Sequence, residues 1–534
     1  MTIADILAER VSVALAGLGA KAPSIRFERP ARPEHGDLST NVALVAAKPI
    51  GRNPRELAAE LADALGAMSI PHVSAVEIAG PGFINFRLKD SWLHDVLREV
   101  LSLGEDAYAR SDLGQGERVQ IEFVSANPTG PLHVGNGWLG SYGDALARVL
   151  ARCGWSVERE YYVNDTGNQI RMLGESVLAR RRREQVPEQG YQGEYVAEIA
   201  DAYDGPDDVM TAGAHAAEVI LESIRSTLDR LGIVYDNWYS QASIEESGKV
   251  AETIELLASR GLIYELDGAT WLKSSEHGDT RDRVLIKANG DATYLAGDLA
   301  YHRDKFLVRG FDRVIDVFGA DHHGQVASLK AGIEALGVDP DRLEVELGQL
   351  VSLASGRMSK RSGVYVRLDE LIDELGPDAT RLLSLMNSID QATTLDLDAV
   401  TRQSMDNPVY YVQYAHARIA SIARMAKERG VIRPPIGEAD LSLLVHPREL
   451  EVLRCLSDLP AVVLEAASDR APFKITNWVR RLASDFHGFY HDCRVLGTDV
   501  PPELSAARLW FVEGTRIGLA IALSLLGVHA PDQM

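Results

Sequence analysis

The chain has 534 residues, 46% of them hydrophobic and 25% charged, with a formal net charge of −22. At roughly 100–200 residues per domain this length implies about three globular domains, and the acidic balance excludes a protein that coats nucleic acid through a broad basic face. No apolar run approaches the roughly 18 residues that span a bilayer, the N-terminus lacks a signal pattern, and Cys153, Cys455 and Cys493 are too scattered for a disulfide framework or a Cys-rich zinc site, so a reducing cytoplasm and no membrane are expected.

Residues 1–113 read as a separate α+β unit. Leu7, Val11, Leu15 and Leu18 recur at helical spacing, and residues 54–65 predict a second helix with Pro54 in its first turn. Residues 73–78 and 83–88 predict strands joined by Ala79-Gly80-Pro81-Gly82. Phe83 and Asn85 share one strand face, where an aromatic ring beside an amide either binds an unpaired base or simply packs.

From residue 114 strand and helix alternate, the signature of a parallel α/β sheet. Val119, Ile121 and Phe123 alternate with Gln120 and Glu122, and Leu139, Tyr142, Leu146, Val149 and Leu150 then follow at helical spacing. Between them lies Ser125-Ala126-Asn127-Pro128-Thr129-Gly130-Pro131-Leu132-His133-Val134-Gly135-Asn136-Gly137. Its prolines prevent a regular ladder, and its glycines let a phosphate approach the N–H groups of the new helix. Further polar junctions follow at residues 161–169, then a helical, charged insertion to about residue 260, then Tyr294 to Asp298, and then Gly319-Ala320-Asp321-His322-His323-Gly324 after an apolar strand. In a doubly wound sheet ligands collect outside the carboxyl ends of strands, so these residues predict one cleft.

Each junction has a plainer alternative. Asp298 fits an N-cap for a helix through Leu299, Ala300 and Tyr301. Asp321, His322 and His323 lack the further converging ligands that zinc needs, so no metal site is predicted. The patch Arg180-Arg181-Arg182-Arg183 fits either RNA or a solvated helix face. Glu122, on a strand covered on both faces, requires a guanidinium or ammonium group from protein or substrate. Residues 353–363 carry two glycines and three cations, as a loop over a polyphosphate would.

From residue 406 the periodicity is helical, through Val409, Val412, Ala415, Ile419 and Ile422, then Val452, Leu456, Leu459 and Val463, then Leu509 to Leu526, with a kink or break expected at Pro460. Asn407, Tyr410, Tyr411, Tyr414, His416 and Arg418 interleave aromatic and cationic groups, as do Trp478, Arg480, Arg481, His487 and His491. That pattern fits a single-stranded RNA surface.

His133-Val134-Gly135-Asn136 resembles the His-Ile-Gly-His signature of class I aminoacyl-tRNA synthetases, and Arg357-Met358-Ser359-Lys360-Arg361 resembles their Lys-Met-Ser-Lys-Ser loop. Residues 122–133, 161–169 and 406–418, with Glu34-His35-Gly36-Asp37-Leu38-Ser39-Thr40-Asn41, resemble the arginyl-tRNA synthetase family in order and across the whole chain. The resemblance implies an α/β fold: an N-terminal tRNA-corner-binding α+β domain over residues 1–113, a Rossmann-type doubly wound parallel-sheet catalytic domain over 114–405, and an all-α anticodon-binding bundle over 406–534. It implies arginine activation by ATP with Mg²⁺, pyrophosphate release, transfer to tRNA-Arg, and a tRNA requirement for activation. A monomer is expected.

The resemblance further implies arginine binding by Glu122, Asn127, Tyr294, Asp298, His322 and Gln325. ATP falls to His133, Gly135, Asn136, Gly319, Asp321, Met358, Ser359 and Lys360, with His133, Asn136 and Lys360 catalytic. It places Phe83, Asn85, Asn407, Tyr411, Tyr414, His416 and Arg418 on tRNA. Two positions depart from the signatures: Asn136 replaces the second histidine and Arg357 the first lysine. A synthetase-like RNA-binding protein without catalysis is the alternative, against which His133, Lys360 and Asp298 count.

Overall fold

The computed structural model describes residues 3–21, 24–30, 32–353, 366–395 and 407–534. They group into two spatial units, one of Met1–Gly104, Met425–Ser457 and Gly488–Thr515, the other of Glu105–Arg424, Asp458–His487 and Arg516–Met534.

In the first unit, β1 (Leu38–Thr40), β2 (Val73–Ala79) and β3 (Phe83–Leu88) form an antiparallel sheet in the order β1-β3-β2. The helices Ile3–Gly17 and Pro54–Gly66 bury Leu7, Val11, Leu15, Leu57, Leu61 and Leu65 in one core with Ile84 and Phe86. The second helix starts where Asn53 accepts from the N–H groups of Arg55 and Glu56. The short β1 escapes sequence reading because three residues carry no measurable alternation.

The second unit is built on five parallel strands: β4 (Arg118–Phe123), β5 (Ser156–Val163), β6 (Asn237–Ser240), and, after a small antiparallel sheet of β7 (Ile263–Leu266), β8 (Ala269–Leu272) and β9 (Arg283–Ile286), the strands β10 (Arg313–Gly319) and β11 (Leu343–Gly348). Their order, β11-β10-β4-β5-β6, starts in the middle at β4, adds β5 and β6 on one side, then crosses to the other. The winding therefore reverses between β4 and β10, where such sheets bind ligands. β6 corrects the reading of residues up to 260 as a purely helical insertion. Its Asn-Trp-Tyr-Ser sequence has no apolar alternation to reveal a strand.

The helix Val134–Arg152 packs against β4. A Cβ on Gly143 would stand 2.3 Å from the Phe123 ring, and one on Gly137 2.5 Å from the Leu368 side chain, so glycine sets the close approach.

The C-terminal helices are Pro408–Glu428, Pro447–Ser468, Phe473–Asp492 and Pro502–Leu526. Pro460 neither ends nor divides its helix, which buries Leu456, Leu459 and Val463 around it. The last helix corrects the sequence reading in another way: it contains an 18-residue window of mean hydropathy 1.5, long and apolar enough to span a bilayer, but 72% of that window is buried.

Gly143→Ala is expected to lower the stability of this unit by about 1–3 kcal/mol through overpacking against Phe123, read as a lower midpoint in thermal or urea unfolding. A raised midpoint, the usual sign for Gly→Ala inside a helix, would contradict the close approach.

Candidate active site

β4 ends in a strained turn. Val124 and Ser125 adopt left-handed φ values of 69° and 38°, a conformation that costs about 1–3 kcal/mol per residue and is rare for a β-branched side chain. Three tyrosine hydroxyls fix the turn by donating to its carbonyls: Tyr235 to Phe123 at 3.1 Å, Tyr161 to Ala126 at 2.8 Å and Tyr195 to Thr129 at 2.7 Å. Ser125 Oγ donates to Glu122 Oε1 at 2.9 Å and accepts from the Tyr162 N–H at 3.1 Å. Beyond the turn the new helix begins. The His133 N–H donates to Asn136 Oδ1 at 3.0 Å, so the buried Asn136 serves as an acceptor that closes the helix start. Desolvation lowers the His133 imidazole pKa, leaving it neutral at pH 7 beside the positive end of the helix.

Behind the turn lies a row of buried acids that sequence reading located only in part. Asp316 on β10, Glu122 on β4 and Glu160 on β5 are in direct register on adjacent strands. Their counter-charges come from one continuous stretch, the helix Tyr294–Arg303 and the π turn Asp304–Val308 with Arg309 after it. Lys305 Nζ donates to Glu122 Oε2 at 2.7 Å and to Asp316 Oδ1 at 3.0 Å, and it lies 4.2 Å from the Tyr301 ring centroid. His302 Nε2 sits 2.8 Å from Asp316 Oδ2, and Arg309 donates to Glu160 Oε1 at 2.9 Å. Burial pulls the Lys305 pKa down, but Asp316 and Glu122 outweigh it and hold the ammonium above its ordinary value. Burial likewise opposes ionisation of Asp316, and Lys305 and His302 reverse the balance, so its pKa falls. Glu122 thus finds inside the protein the cation its sequence position demanded.

A cavity of about 480 Å³ opens at the carboxyl ends of β4 and β10. Its lining includes Glu122, Asn127, Tyr294, Asp298, His322 and Gln325, the whole set expected for the amino acid, together with Gly319. Tyr294 is at the rim, 82% exposed. The residues from Tyr294 to Asp298 do not end a strand but begin a helix, whose N-cap is Thr293, its Oγ1 accepting from the Ala296 N–H at 3.4 Å. Asp298 therefore caps nothing. Among the described residues its carboxylate has no hydrogen-bond or ion-pair partner, and burial, then the Glu122 and Asp316 charges, push its pKa up to about 6 against the pull of His302.

Of the expected nucleotide residues, His133, Gly135, Asn136 and Asp321 lie outside this lining, Asp321 pointing into solvent. Met358, Ser359 and Lys360, with Arg357, lie outside the described residues. On the near side of that segment, β12 (Val351–Leu353) pairs with β13 (Thr393–Leu395). On the far side Arg367 bridges the backbone of His133, with the Val134 N–H donating to Val366 at 3.1 Å. Among the described residues no group of three or more His, Cys, Asp or Glu side chains is arranged to hold a metal ion.

Three of the residues expected on tRNA are buried and hydrogen-bonded within the protein. Asn85 is buried and accepts from Ser39 Oγ at 2.7 Å. Asn407 is buried and caps its helix by accepting from the Val409 N–H at 3.0 Å. His416 is 3% exposed, with Nδ1 at 2.9 Å from the Pro531 carbonyl. Phe83, Tyr411, Tyr414 and Arg418 keep exposed surface, with the Arg418 guanidinium 4.3 Å from the Tyr414 ring centroid. In the basic patch, Arg180 and Arg181 donate to the carbonyls of Gln192 and Gly205, and Arg182 pairs with Asp207.

Residues 2–88 match the arginyl tRNA synthetase N terminal domain, residues 98–422 the class I (R) tRNA synthetase catalytic domain, and residues 412–534 the DALR anticodon binding domain. The chain is 46% identical over 531 residues to the arginine–tRNA ligase of Carboxydothermus hydrogenoformans, covering 96% of this chain and 94% of that one. It is 45% identical over 529 residues to that of Frankia alni, covering 96% and 95% respectively. In fold it resembles the arginyl-tRNA synthetase of Thermus thermophilus, with a TM-score of 0.80 at 23% identity over 99% of this chain and 100% of that one.

With no ligand bound, the Asp298 carboxyl is expected to titrate near pH 6. Carbon-13 NMR of labelled aspartate should show one such resonance, absent from Asp298→Asn. A titration confined to the ordinary range of about 4 would mean that a cation already occupies the site.

Proposed function

The chain belongs to the arginyl-tRNA synthetase family, and we propose that it binds arginine in the cavity between the ends of β4 and β10. It is an arginine–tRNA ligase, which forms arginyl-adenylate and pyrophosphate from arginine and ATP, then passes the arginyl group to the terminal adenosine of tRNA-Arg for protein synthesis. The observation that carries the residue assignment is Asp298, a carboxylate that faces the cavity with its pKa raised to about 6 and, among the described residues, no hydrogen-bond or ion-pair partner, Lys305 and His302 acting on it only from beyond ion-pair distance.

A planar guanidinium forks onto that carboxylate in bidentate geometry. Glu122 supplies further negative charge at the cavity floor, and Tyr294 closes the rim. Asn127, His322 and Gln325 take the α-amino and carboxylate end. The substrate carboxylate is already a nucleophile: one of its oxygens bonds to the α-phosphorus as the bond to pyrophosphate breaks, and the electron pair leaves on pyrophosphate. No proton needs to move, so positioning and charge stabilisation carry the step.

The helix start, with neutral His133, receives the phosphates, Gly135 admits the adenosine, Gly319 and Asp321 border the nucleotide, and Met358, Ser359 and Lys360 meet the triphosphate. Asn136 acts through His133 and is a positioning residue. Mg²⁺ enters with ATP as its counter-ion. Phe83, in the N-terminal domain of residues 1–113, meets the corner of the tRNA. Tyr411, Tyr414 and Arg418, in the bundle of residues 406–534, meet its anticodon side. The enzyme is a cytoplasmic monomer without a membrane attachment.

Arginine-dependent pyrophosphate exchange, run with and without tRNA-Arg, tests this directly. Exchange is expected with arginine and tRNA together. Asp298→Asn is expected to raise KM for arginine about 100-fold, the loss of a charge-assisted pair of about 3 kcal/mol, while KM for ATP stays within a few-fold. Equal effects on both would reduce Asp298 to a structural role. Because the free carboxyl titrates near 6, its charged form is present above that pH and lost below it. Arginine binding should therefore weaken as pH falls through 6 and release protons there, measured by calorimetry in buffers of different ionisation enthalpy. A proton count of zero at pH 6 would contradict the assignment.

A further inference from the structure

We infer that Lys305 determines which cation the cavity accepts, by occupying from inside the protein the acid pair Glu122 and Asp316 and leaving Asp298 alone to receive an incoming side chain. The inference rests on the reading of the cavity as the arginine site.

Lys305 is fully buried and does not line the cavity, whereas Glu122, Tyr301 and His302 around it do. Its ammonium bridges Glu122 Oε2 at 2.7 Å and Asp316 Oδ1 at 3.0 Å. The remaining oxygens of that pair are also taken, Glu122 Oε1 by Ser125 Oγ at 2.9 Å and Asp316 Oδ2 by His302 Nε2 at 2.8 Å. Of the two carboxylates that line the cavity, that of Asp298, one turn before His302 on the same helix, has no hydrogen-bond or ion-pair partner among the described residues, and Lys305 and His302 reach it only through longer-range attraction.

An alkylammonium presents three donors in a compact tetrahedral array and is strongly hydrated, so it needs several converging acceptors to leave water. A guanidinium presents donors in a plane and is satisfied by one carboxylate in forked geometry. With the floor acids filled by Lys305, the cavity offers the second arrangement and lacks the first. Removing the Lys305 ammonium would free Glu122 Oε2 and Asp316 Oδ1 beside Asp298 and create an ammonium nest. The effect is therefore a gain for lysine as substrate and not merely a loss for arginine.

The test uses the full-length protein with tRNA-Arg and compares kcat/KM for arginine and for lysine in pyrophosphate exchange. Lys305→Met is expected to lower the arginine-to-lysine ratio at least about tenfold, with kcat/KM for lysine rising in absolute terms. Lys305→Arg, which keeps a cation on both acids, should hold the ratio near that of the unaltered protein. If circular dichroism shows that Lys305→Met is unfolded, the charge-balanced pair Lys305→Met with Asp316→Asn replaces it. That pair frees Glu122 Oε2 alone, and its ratio should still fall. A folded variant whose ratio is unchanged while both substrates decline together overturns the proposal and makes Lys305 purely structural. Failure of the unaltered protein to use arginine would instead overturn the reading of the site on which the proposal rests.

Discussion

Three carboxylates in register across the middle of a parallel sheet are the constraint around which the catalytic unit is built. Asp316, Glu122 and Glu160 stand side by side on β10, β4 and β5. A buried charge left without its partner costs on the order of 3–5 kcal/mol, so the three acids fix where cations must be. Lys305 and Arg309 supply them from one helical stretch, on which His302 adds a hydrogen-bond partner for Asp316, and the π turn within that stretch is an irregularity of the kind often found at functional sites. Pinned this way, the stretch presents Asp298 to the cavity at a defined place. Asp298 is thus held in position by ion pairs made by other residues of its own helical stretch.

The second constraint is the turn after β4. Left-handed Val124 and Ser125 persist because several independent groups hold them, namely the tyrosine hydroxyls on the carbonyls of Phe123, Ala126 and Thr129, and the Ser125 hydroxyl shared with Glu122 and Tyr162. The turn directs Asn127 toward the cavity, and ten residues later the chain is already inside the helix that His133 opens. Close packing of Gly143 on Phe123 sets that helix against the strand, and Gly137 leaves room for the Leu368 side chain. Ser125 joins the two constraints, since its hydroxyl bonds the central acid of the row. Catalysis that depends on placing a carboxylate against a phosphate needs this rigidity more than it needs a general acid or base.

Much of this was legible in the sequence because each signal was long or chemically out of place. Alternation through Val119, Ile121 and Phe123, and the Gly- and Pro-rich turn before a helical period, located β4 and the helix after it. Glu122 was conspicuous as a charge on a covered strand, although its partner Lys305 lies 183 positions away and no local pattern connects them. Asp316 carried the same signal inside Val314-Ile315-Asp316-Val317-Phe318 and could have been read by the same logic. The four-residue β6 and three-residue β1 were too short for periodicity to register. Asn85, Asn407 and His416 show the converse limit: a polar residue on a helix or strand looks the same in sequence whether it faces an RNA, caps a backbone or closes against a distant carbonyl. Only burial separates them. Asn136, unusual against the family signature, makes sense once its amide oxygen is seen accepting the His133 N–H.

The central claim, that a substrate guanidinium completes a charge arrangement already fixed by Lys305, is tested most directly by a crystal structure with arginine and a non-hydrolysable ATP analogue. The guanidinium should fork onto Asp298, with Lys305 still bonded to both Glu122 and Asp316. A guanidinium bound instead to Glu122 with the Lys305 ammonium displaced, or one that leaves Asp298 without a partner, would contradict it.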